Sequence, residues 1–205
     1  MPGFEINHTD TSQVADQKLG AHIQSLSGYR NTLQTVIDQG EYNEPESCLN
    51  LPTDEQVLQS VVRTVNEATT QTNPQYVVVI GMGGSVRGTK AVYDLVANEA
   101  GSEILFLNSV DDQGISAVAD KLQACSRPDD FAVCVVSKSG TTAETIANTN
   151  VLLQQLTDTY DRSDLYERMI AVTDPGSELD ELADEQGIKQ VYIPEHVGGR
   201  FSVLS

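Results

Sequence analysis

The run Val133-Cys-Val-Val-Ser-Lys-Ser-Gly-Thr-Thr-Ala-Glu-Thr145 joins an apolar segment to a cluster of small hydroxyl side chains. The apolar part, residues 131–136, is short and rich in valine, which predicts a buried β-strand. After the hydroxyl cluster, apolar residues recur at helical spacing: Ala143, Ile146, Ala147, Leu153 and Leu156. The sequence therefore predicts a strand, a hydroxyl-rich loop and a helix.

The hydroxyl-rich loop has the composition of an anion site. It carries four hydroxyls in the six residues 137–142, namely Ser137, Ser139, Thr141 and Thr142, together with Lys138 and a permissive Gly140. Thr141 and Glu144 have the form of a capping box, which places the unpaired amides of a helix N-terminus beside the hydroxyls. A solvated loop that only caps the helix is the alternative, but a cap needs a single hydroxyl. The density of donors favours phosphate.

Length and composition indicate an ordinary globular protein. With 205 residues, 39% of them hydrophobic, the chain can bury a sizeable core in one domain. Its three cysteines, Cys48, Cys125 and Cys134, cannot all pair and lack metal-ligand spacing, which indicates free thiols in a reducing compartment. No apolar run reaches the roughly 20 residues of a membrane helix, and no signal-peptide pattern begins the chain. We expect a cytoplasmic protein.

The chain is strongly acidic, with a net charge of -18 from 30 acidic and 12 basic residues. Nucleic acids and anionic membranes are therefore not expected as partners. The same field opposes a phosphorylated substrate, unless local donors and salt screening intervene. Since the screening length falls from about 8 Å at physiological ionic strength to about 3 Å at 1 M, we hypothesise adaptation to a salty cytoplasm.

The first 75 residues are predicted to be a helical preface without chemistry. After a loose arm at residues 1–12, one long helix is predicted to end at Gly40, on the spacing of Leu19, Ile23, Leu26, Leu33, Val36 and Ile37. A polar connector covers residues 41–52. Thr53 and Gln56 then form a second predicted capping box, which begins another helix.

From residue 76 onward, strand and helix patterns alternate. Strands are predicted at 76–80, 104–107, 131–136, 169–172 and 191–193, and helices at 87–98, 112–123, 142–157 and 178–186. Pro175-Gly176-Ser177 introduces the last helix and Gly187 ends it. This alternation predicts a five-stranded parallel sheet covered on both faces, a three-layer αβα sandwich over residues 76–205.

A glycine-rich turn, Gly81-Met-Gly-Gly-Ser-Val-Arg-Gly88, follows the first of these strands. It is not a dinucleotide fingerprint, which needs glycine at Val86, nor a P-loop, because Thr89 precedes Lys90. Its backbone can approach a ligand closely, and Ser85 can donate and accept a hydrogen bond. In a doubly wound sheet of order 2-1-3-4-5, this turn and the hydroxyl-rich loop flank the switch point where ligands bind.

A third motif, Gly198-Gly-Arg-Phe-Ser202, completes a family resemblance. With the Gly-x-Gly-Gly-Ser turn and the Ser-Lys-Ser-Gly-Thr-Thr-Ala-Glu-Thr loop, it resembles the glucose-6-phosphate isomerases, and all three motifs follow the family's order. The resemblance covers about residues 76–205 and implies the sugar isomerase (SIS) fold. It further implies interconversion of glucose 6-phosphate and fructose 6-phosphate through an enediolate, without metal or organic cofactor, and a homodimer at full length.

The resemblance also assigns residues. Phosphate binding falls on Ser137, Lys138, Ser139 and Thr142, and sugar contact on Gly84 and Ser85. The family's arginine falls on Arg200, where a permanent charge could stabilise the negative oxygens of the intermediate. A surface ion pair is the alternative for Arg200. Gly140 departs from the pattern, since many members carry a bulky aromatic residue there.

The family's glutamate base, ring-opening histidine and lysine lie beyond the arginine motif. Neither Glu195 nor His196 is expected to replace them, and His8 and His22 belong to the preface. We therefore interpret the chain as the N-terminal SIS domain of a longer enzyme, inactive alone because general acid-base catalysis, worth about 10²- to 10⁴-fold, lacks its base. The alternatives are a non-catalytic phosphosugar-binding SIS module, or an isomerase of mannose or glucosamine phosphates.

Overall fold

The computed structural model describes residues 15–69, 74–96 and 101–198. Eight helices and five strands lie in these ranges. The helices are α1 (Asp16–Ser25), α2 (Ser27–Gln39), α3 (Glu55–Ala68), α4 (Gly84–Val96), α5 (Asp112–Gln123), α6 (Ala143–Leu156), α7 (Arg162–Glu167) and α8 (Glu178–Gln186). The strands are β1 (Tyr76–Gly81), β2 (Glu103–Leu107), β3 (Phe131–Val136), β4 (Met169–Thr173) and β5 (Lys189–Tyr192). Short 3₁₀ turns lie at Ser47–Thr53 and Pro128–Asp130.

All five strands form one parallel sheet in the order β2-β1-β3-β4-β5. The predicted architecture and the predicted strand order are both confirmed. β3 has the predicted bounds, whereas β5 begins at Lys189, two residues before the predicted start at Val191. Lys189 and Gln190 are polar, and hydrophobic pattern alone does not reveal an edge strand that begins with such residues.

Helices cover both faces of the sheet. The core cluster joins alternate residues of β1 and β3, such as Val78 and Val133, to side chains of α5 and α6. The crossover from β1 to β2 runs across the sheet in the opposite direction to the later crossovers. Because crossovers between parallel strands are right-handed, α4 lies on the face of the sheet opposite to α5 and α6. Helix α3 packs against β4 and β5. The loops that follow the strands therefore gather at the carboxyl edge of the sheet.

The predicted long N-terminal helix is wrong, because Leu26 separates α1 from α2. The Ser25 hydroxyl donates to the carbonyl of His22, and the Ser27 hydroxyl donates to that of Gln24. Serine hydroxyls that bond to nearby backbone compete with the helix ladder, and this accounts for the break. The predicted end at Gly40 is confirmed by its left-handed φ of 64°.

The cap of α3 also differs from the prediction. Asp54, not Thr53, is the N-cap, and its carboxylate accepts from the amides of Gln56 and Val57 at 2.9 and 3.0 Å. The Thr53 hydroxyl donates to the carbonyl of Asn50 instead. A hydroxyl and a carboxylate at adjacent positions both satisfy the sequence rule, so only the backbone path decides between them. Within the described ranges, no helix has the length and apolarity needed to cross a membrane.

Candidate active site

The hydroxyl-rich loop leaves the carboxyl end of β3 as a tight turn. The Ser137 amide donates to Val172 of β4, and the Gly140 amide donates to the Ser137 carbonyl at 3.2 Å. Ser137 is buried, and its hydroxyl donates to the hydroxyl oxygen of Thr142 at 3.0 Å. The Ser137 proton is thus used within the loop, whereas the Thr142 proton remains available for an incoming acceptor.

The predicted capping box at Thr141 and Glu144 is wrong. Helix α6 has Thr142 as its N-cap, and the Thr142 side chain makes no capping hydrogen bond. The Thr141 hydroxyl pairs with that of Ser139 at 3.0 Å, because the turn brings those two side chains together. Among the described residues, the amides of the first turn of α6 have no side-chain acceptor, which is the arrangement that suits a bound anion.

A second helix N-terminus lies against the same loop. Gly140 has a φ of 72°, and a Cβ built on it would lie 2.5 Å from the Leu179 amide nitrogen and 2.9 Å from that of Glu178. Both amides belong to the first turn of α8, which follows Pro175-Gly176-Ser177 as predicted, and the hydroxyl of its N-cap Ser177 accepts from the Asp180 amide. The N-termini of α6 and α8 thus both flank the loop and contribute amide donors. Carboxylates in the same first turns, Glu144 in α6 and Glu178, Asp180 and Glu181 in α8, offset part of the positive field of these helix ends.

The glycine-rich turn lies beside the hydroxyl-rich loop. Gly81 and Val136, the last residues of β1 and β3, are directly paired in the sheet. The chain turns at Gly83, with a φ of 58°, and α4 then begins at Gly84, with Ser85 half-buried in its first turn. The two loops predicted to meet at the switch point therefore start from neighbouring strands, which lie about 4.8 Å apart.

Two residues at the end of β4 also build the site, although the sequence analysis did not identify them. The Thr173 hydroxyl donates to the Ser137 carbonyl at 2.7 Å, and the Asp174 amide donates to that of Lys138 at 3.0 Å. The Asp174 carboxylate lies 3.9 Å from the Lys138 ammonium. A polar Thr-Asp pair at the carboxyl end of a strand beside β3 was the available signal.

The segment after β5 approaches the same edge. Val197 is buried, and its carbonyl accepts from the Lys138 ammonium at 2.8 Å. The Glu195 carboxylate and the His196 imidazole are exposed and lie 3.7 Å apart, and neither side chain has a hydrogen bond to the loop hydroxyls. Arg200 lies outside the described residues.

A cavity of about 710 Å³ opens between α3 and the ends of β4 and β5. It is lined by Arg63, Asp174 and Glu195 among others, and the two predicted ligand loops are not part of its wall. A much smaller cavity of about 50 Å³ touches Ser137 and Gly140. The candidate phosphate site is therefore an open turn at the sheet edge.

Comparison with known proteins gives the family. The family model of phosphoglucose isomerase matches residues 28–205. The chain belongs to the phosphoglucose isomerase family. The matched region includes the glycine-rich turn, the hydroxyl-rich loop and the Gly-Gly-Arg-Phe-Ser segment, and it also includes α3 and all of α2 except Ser27.

Individual members of the phosphoglucose isomerase family are similar over most of the chain. The "probable glucose-6-phosphate isomerase" of Haloarcula marismortui is 33% identical over 168 residues, which cover 82% of this chain and 36% of that protein. The "glucose-6-phosphate isomerase" of a Thermus thermophilus strain is 36% identical over 192 residues, which cover 92% of this chain and 43% of that protein. The chain spans less than half the length of these curated relatives.

A solved structure supports the architecture. The crystal structure of a hypothetical protein from Thermus thermophilus matches with a TM-score of 0.66 and 32% identity. The match covers 89% of this chain and 43% of that one.

Proposed function

We propose that the protein containing this chain is a glucose-6-phosphate isomerase, which interconverts glucose 6-phosphate and fructose 6-phosphate. The observation that carries the proposal is the hydroxyl-rich turn beside the N-termini of α6 and α8, in a chain of the phosphoglucose isomerase family. Hydroxyl and amide donors at helix N-termini are a fitting receptor for a phosphate dianion. The activity is proposed for the complete protein, because the relatives are more than twice as long as this chain.

The phosphate contacts divide by atom. Thr142 offers its hydroxyl proton, while Ser137 orients Thr142 through its own hydrogen bond. Ser139 pairs with Thr141 through their hydroxyls, and we propose that Thr141 donates in that pair, which leaves the Ser139 proton for phosphate. Lys138 contributes its main-chain amide, which has no acceptor among the described residues. Together these hydroxyl and amide donors would hold the phosphate without a contact from the Lys138 ammonium. The sugar would then extend from the phosphate across the edge of the sheet.

The remaining assignments follow from the family resemblance. Gly84 and Ser85 lie in the first turn of α4, after the neighbouring strand β1, and are proposed to contact the sugar. Arg200 is proposed to stabilise the negative charge that develops on the enediolate oxygens. The proton-transferring base would come from the part of the complete protein that this chain does not span.

The first test is an isomerase assay on the full-length protein and on the 205-residue chain, at low and at molar salt. We expect turnover of fructose 6-phosphate by the full-length protein and none by the chain alone. Phosphosugar binding without turnover by either would identify a binding module. Preferred turnover of a mannose or glucosamine phosphate would identify a different isomerase.

Arg200 is tested in the full-length protein with Arg200→Ala. If the Arg200 charge acts on the transition state, its removal should lower kcat much more than it raises KM. The matched control is Arg127→Ala, because Arg127 is an exposed arginine that pairs with Asp130 at the amino end of β3. Equal effects of Arg200→Ala on kcat and on affinity would contradict the assignment and indicate a ground-state contact.

A further inference from the structure

We name the hydroxyl-rich loop, residues 137–142, the phosphate turn; the Lys138 side chain of this turn is engaged by two acceptors outside it. Its ammonium donates to the Val197 carbonyl at 2.8 Å, across 59 positions of sequence. It also faces the Asp174 carboxylate, with 3.9 Å between Nζ and Oδ2. Both acceptors belong to the protein, and the side chain is only one-third exposed, at 33%. The charge expected to attract phosphate is thus engaged elsewhere.

Val197 is a fixed point in the segment that leads to the arginine motif. Its side chain is 1% exposed, and its amide donates to the Pro194 carbonyl at 3.2 Å. Gly198, the first residue of the Gly-Gly-Arg-Phe-Ser motif, follows it directly. A bond from the phosphate turn to Val197 therefore links the place where phosphate would bind to the start of the motif that contains Arg200.

We propose that Lys138 is a positioning residue whose ammonium ties the Pro194–Gly198 turn to the phosphate turn, and that it is not a direct ligand of phosphate. This inference rests on the proposed function, because it assigns a role to Lys138 in presenting Arg200. The hydrogen bond determines where the arginine motif begins relative to the bound phosphate. Displacement of a catalytic group by about 1 Å can cost about 10²-fold in rate, so such a tie has catalytic value.

Asp174 completes the tie. Its amide donates to the Lys138 carbonyl at 3.0 Å, so the two residues are joined through main chain as well as through their charges. Its Oδ1 atom is buried and has no hydrogen-bond partner among the described residues. Burial raises the pKa of Asp174, the Lys138 charge opposes that rise, and Glu195 adds to it. The Lys138 ammonium therefore favours the ionised form of Asp174, which burial and Glu195 disfavour.

The tie is tested directly by hydrogen exchange in the full-length protein. Lys138→Met keeps the length of the side chain and removes its charge. We expect the Val197 amide, which donates to the Pro194 carbonyl, to exchange at least about tenfold faster in this variant, since the turn loses its anchor. Lys121→Met is the matched control, because Lys121 pairs with Glu103 at the amino edge of the sheet. Unchanged exchange at the Val197 amide would overturn the proposal, whatever the enzyme's activity.

Kinetics separate positioning from phosphate binding. In Lys138→Met we expect kcat to fall by about tenfold or more, while affinity for inorganic phosphate changes by less than about twofold. Lys138→Arg, which retains a charged donor, should recover part of kcat. A loss of phosphate affinity of about tenfold with kcat maintained would overturn the proposal and make the ammonium a ligand. Absence of isomerase activity in the unmodified full-length protein would refute the proposed function and leave the exchange experiment to decide the tie.

Discussion

At the scale of single residues, the Ser137 proton is used within the loop, whereas the Thr142 proton is free to donate to phosphate. Ser139 and Thr141 share one hydroxyl–hydroxyl hydrogen bond in which either can be the donor, so one of their two protons stays available, and Ser139 is the member that the family resemblance assigns to phosphate. We expect Ser139→Ala and Thr142→Ala each to weaken phosphosugar binding by about 1 kcal/mol or more, through one lost charge-assisted bond. Titration calorimetry on the full-length protein measures this.

The control for that pair is Thr157→Ala, at the opposite end of α6. The Thr157 hydroxyl donates to the Gln154 carbonyl, so its loss perturbs the same helix without touching the phosphate turn. The affinity of Thr157→Ala for phosphosugar should match that of the unmodified protein. Unchanged affinity in both Ser139→Ala and Thr142→Ala would remove these hydroxyls from the phosphate site.

Gly140 is required by the contact between the phosphate turn and α8. Gly140 and Gly176 have nearly equal φ values, 72° and 73°, but only at Gly140 would a Cβ meet neighbouring atoms. Alanine in the left-handed region costs about 1–2 kcal/mol at either site, and the clash with the Leu179 amide adds about 1–3 kcal/mol at Gly140. Urea unfolding of the full-length protein should therefore show Gly140→Ala to be the less stable variant. Equal losses would mean that the turn and α8 separate easily.

At the scale of elements, α3 depends on the Asp54 cap. We expect Asp54→Ala to lower the free energy of unfolding by about 1 kcal/mol, because the amides of Gln56 and Val57 lose their acceptor. Thr53→Ala should change it by less than about 0.5 kcal/mol, since the Thr53 hydroxyl does not reach the helix amides. Urea unfolding checks the pair, and a larger effect at Thr53 would contradict the observed cap.

The Asp54 cap also gives a pH dependence. Hydrogen bonding, above all from the Val57 amide, lowers the pKa of Asp54 in the folded state. The stabilisation is therefore complete above the unfolded-state pKa of about 3.9 and is lost as the pH falls through the lower folded value. Asp54→Asn keeps an acceptor but does not titrate. The stability difference between the native protein and Asp54→Asn should thus shrink on acidification below about pH 4, and a constant difference would refute this linkage.

At the scale of the whole molecule, the charge of -18 opposes both compactness and an anionic substrate. We expect isomerase activity of the full-length protein to rise from dilute buffer toward molar KCl, because screening weakens this repulsion while the short donor contacts persist. Glycine betaine at equal osmolality is the control, since a zwitterion screens little. Activity that is maximal in dilute buffer and falls steadily with KCl would refute salt adaptation.

The sequence by itself determined the parallel sheet and the composition of its loops. Alternating strand and helix patterns lead to a parallel sheet, whereas the strand order that sets the turns after β1 and β3 side by side is given by the structure. Strand β3 and helices α5 and α8 have their predicted bounds, because their apolar periodicity ends at clear polar or glycine boundaries. These are local signals, and local physics is sufficient to interpret them.

Only the tertiary structure decided which partner each polar group takes. The break at Leu26 and the caps at Asp54 and Thr142 depend on competition among adjacent hydroxyls and carboxylates that the same sequence rule allows. The bond from Thr173 to Ser137 spans 36 positions and that from Lys138 to Val197 spans 59. From its residue type alone, a lysine in a phosphate-binding loop is expected to contact the phosphate. Its role depends on which carbonyl the folded sheet brings within reach, and that information is not local.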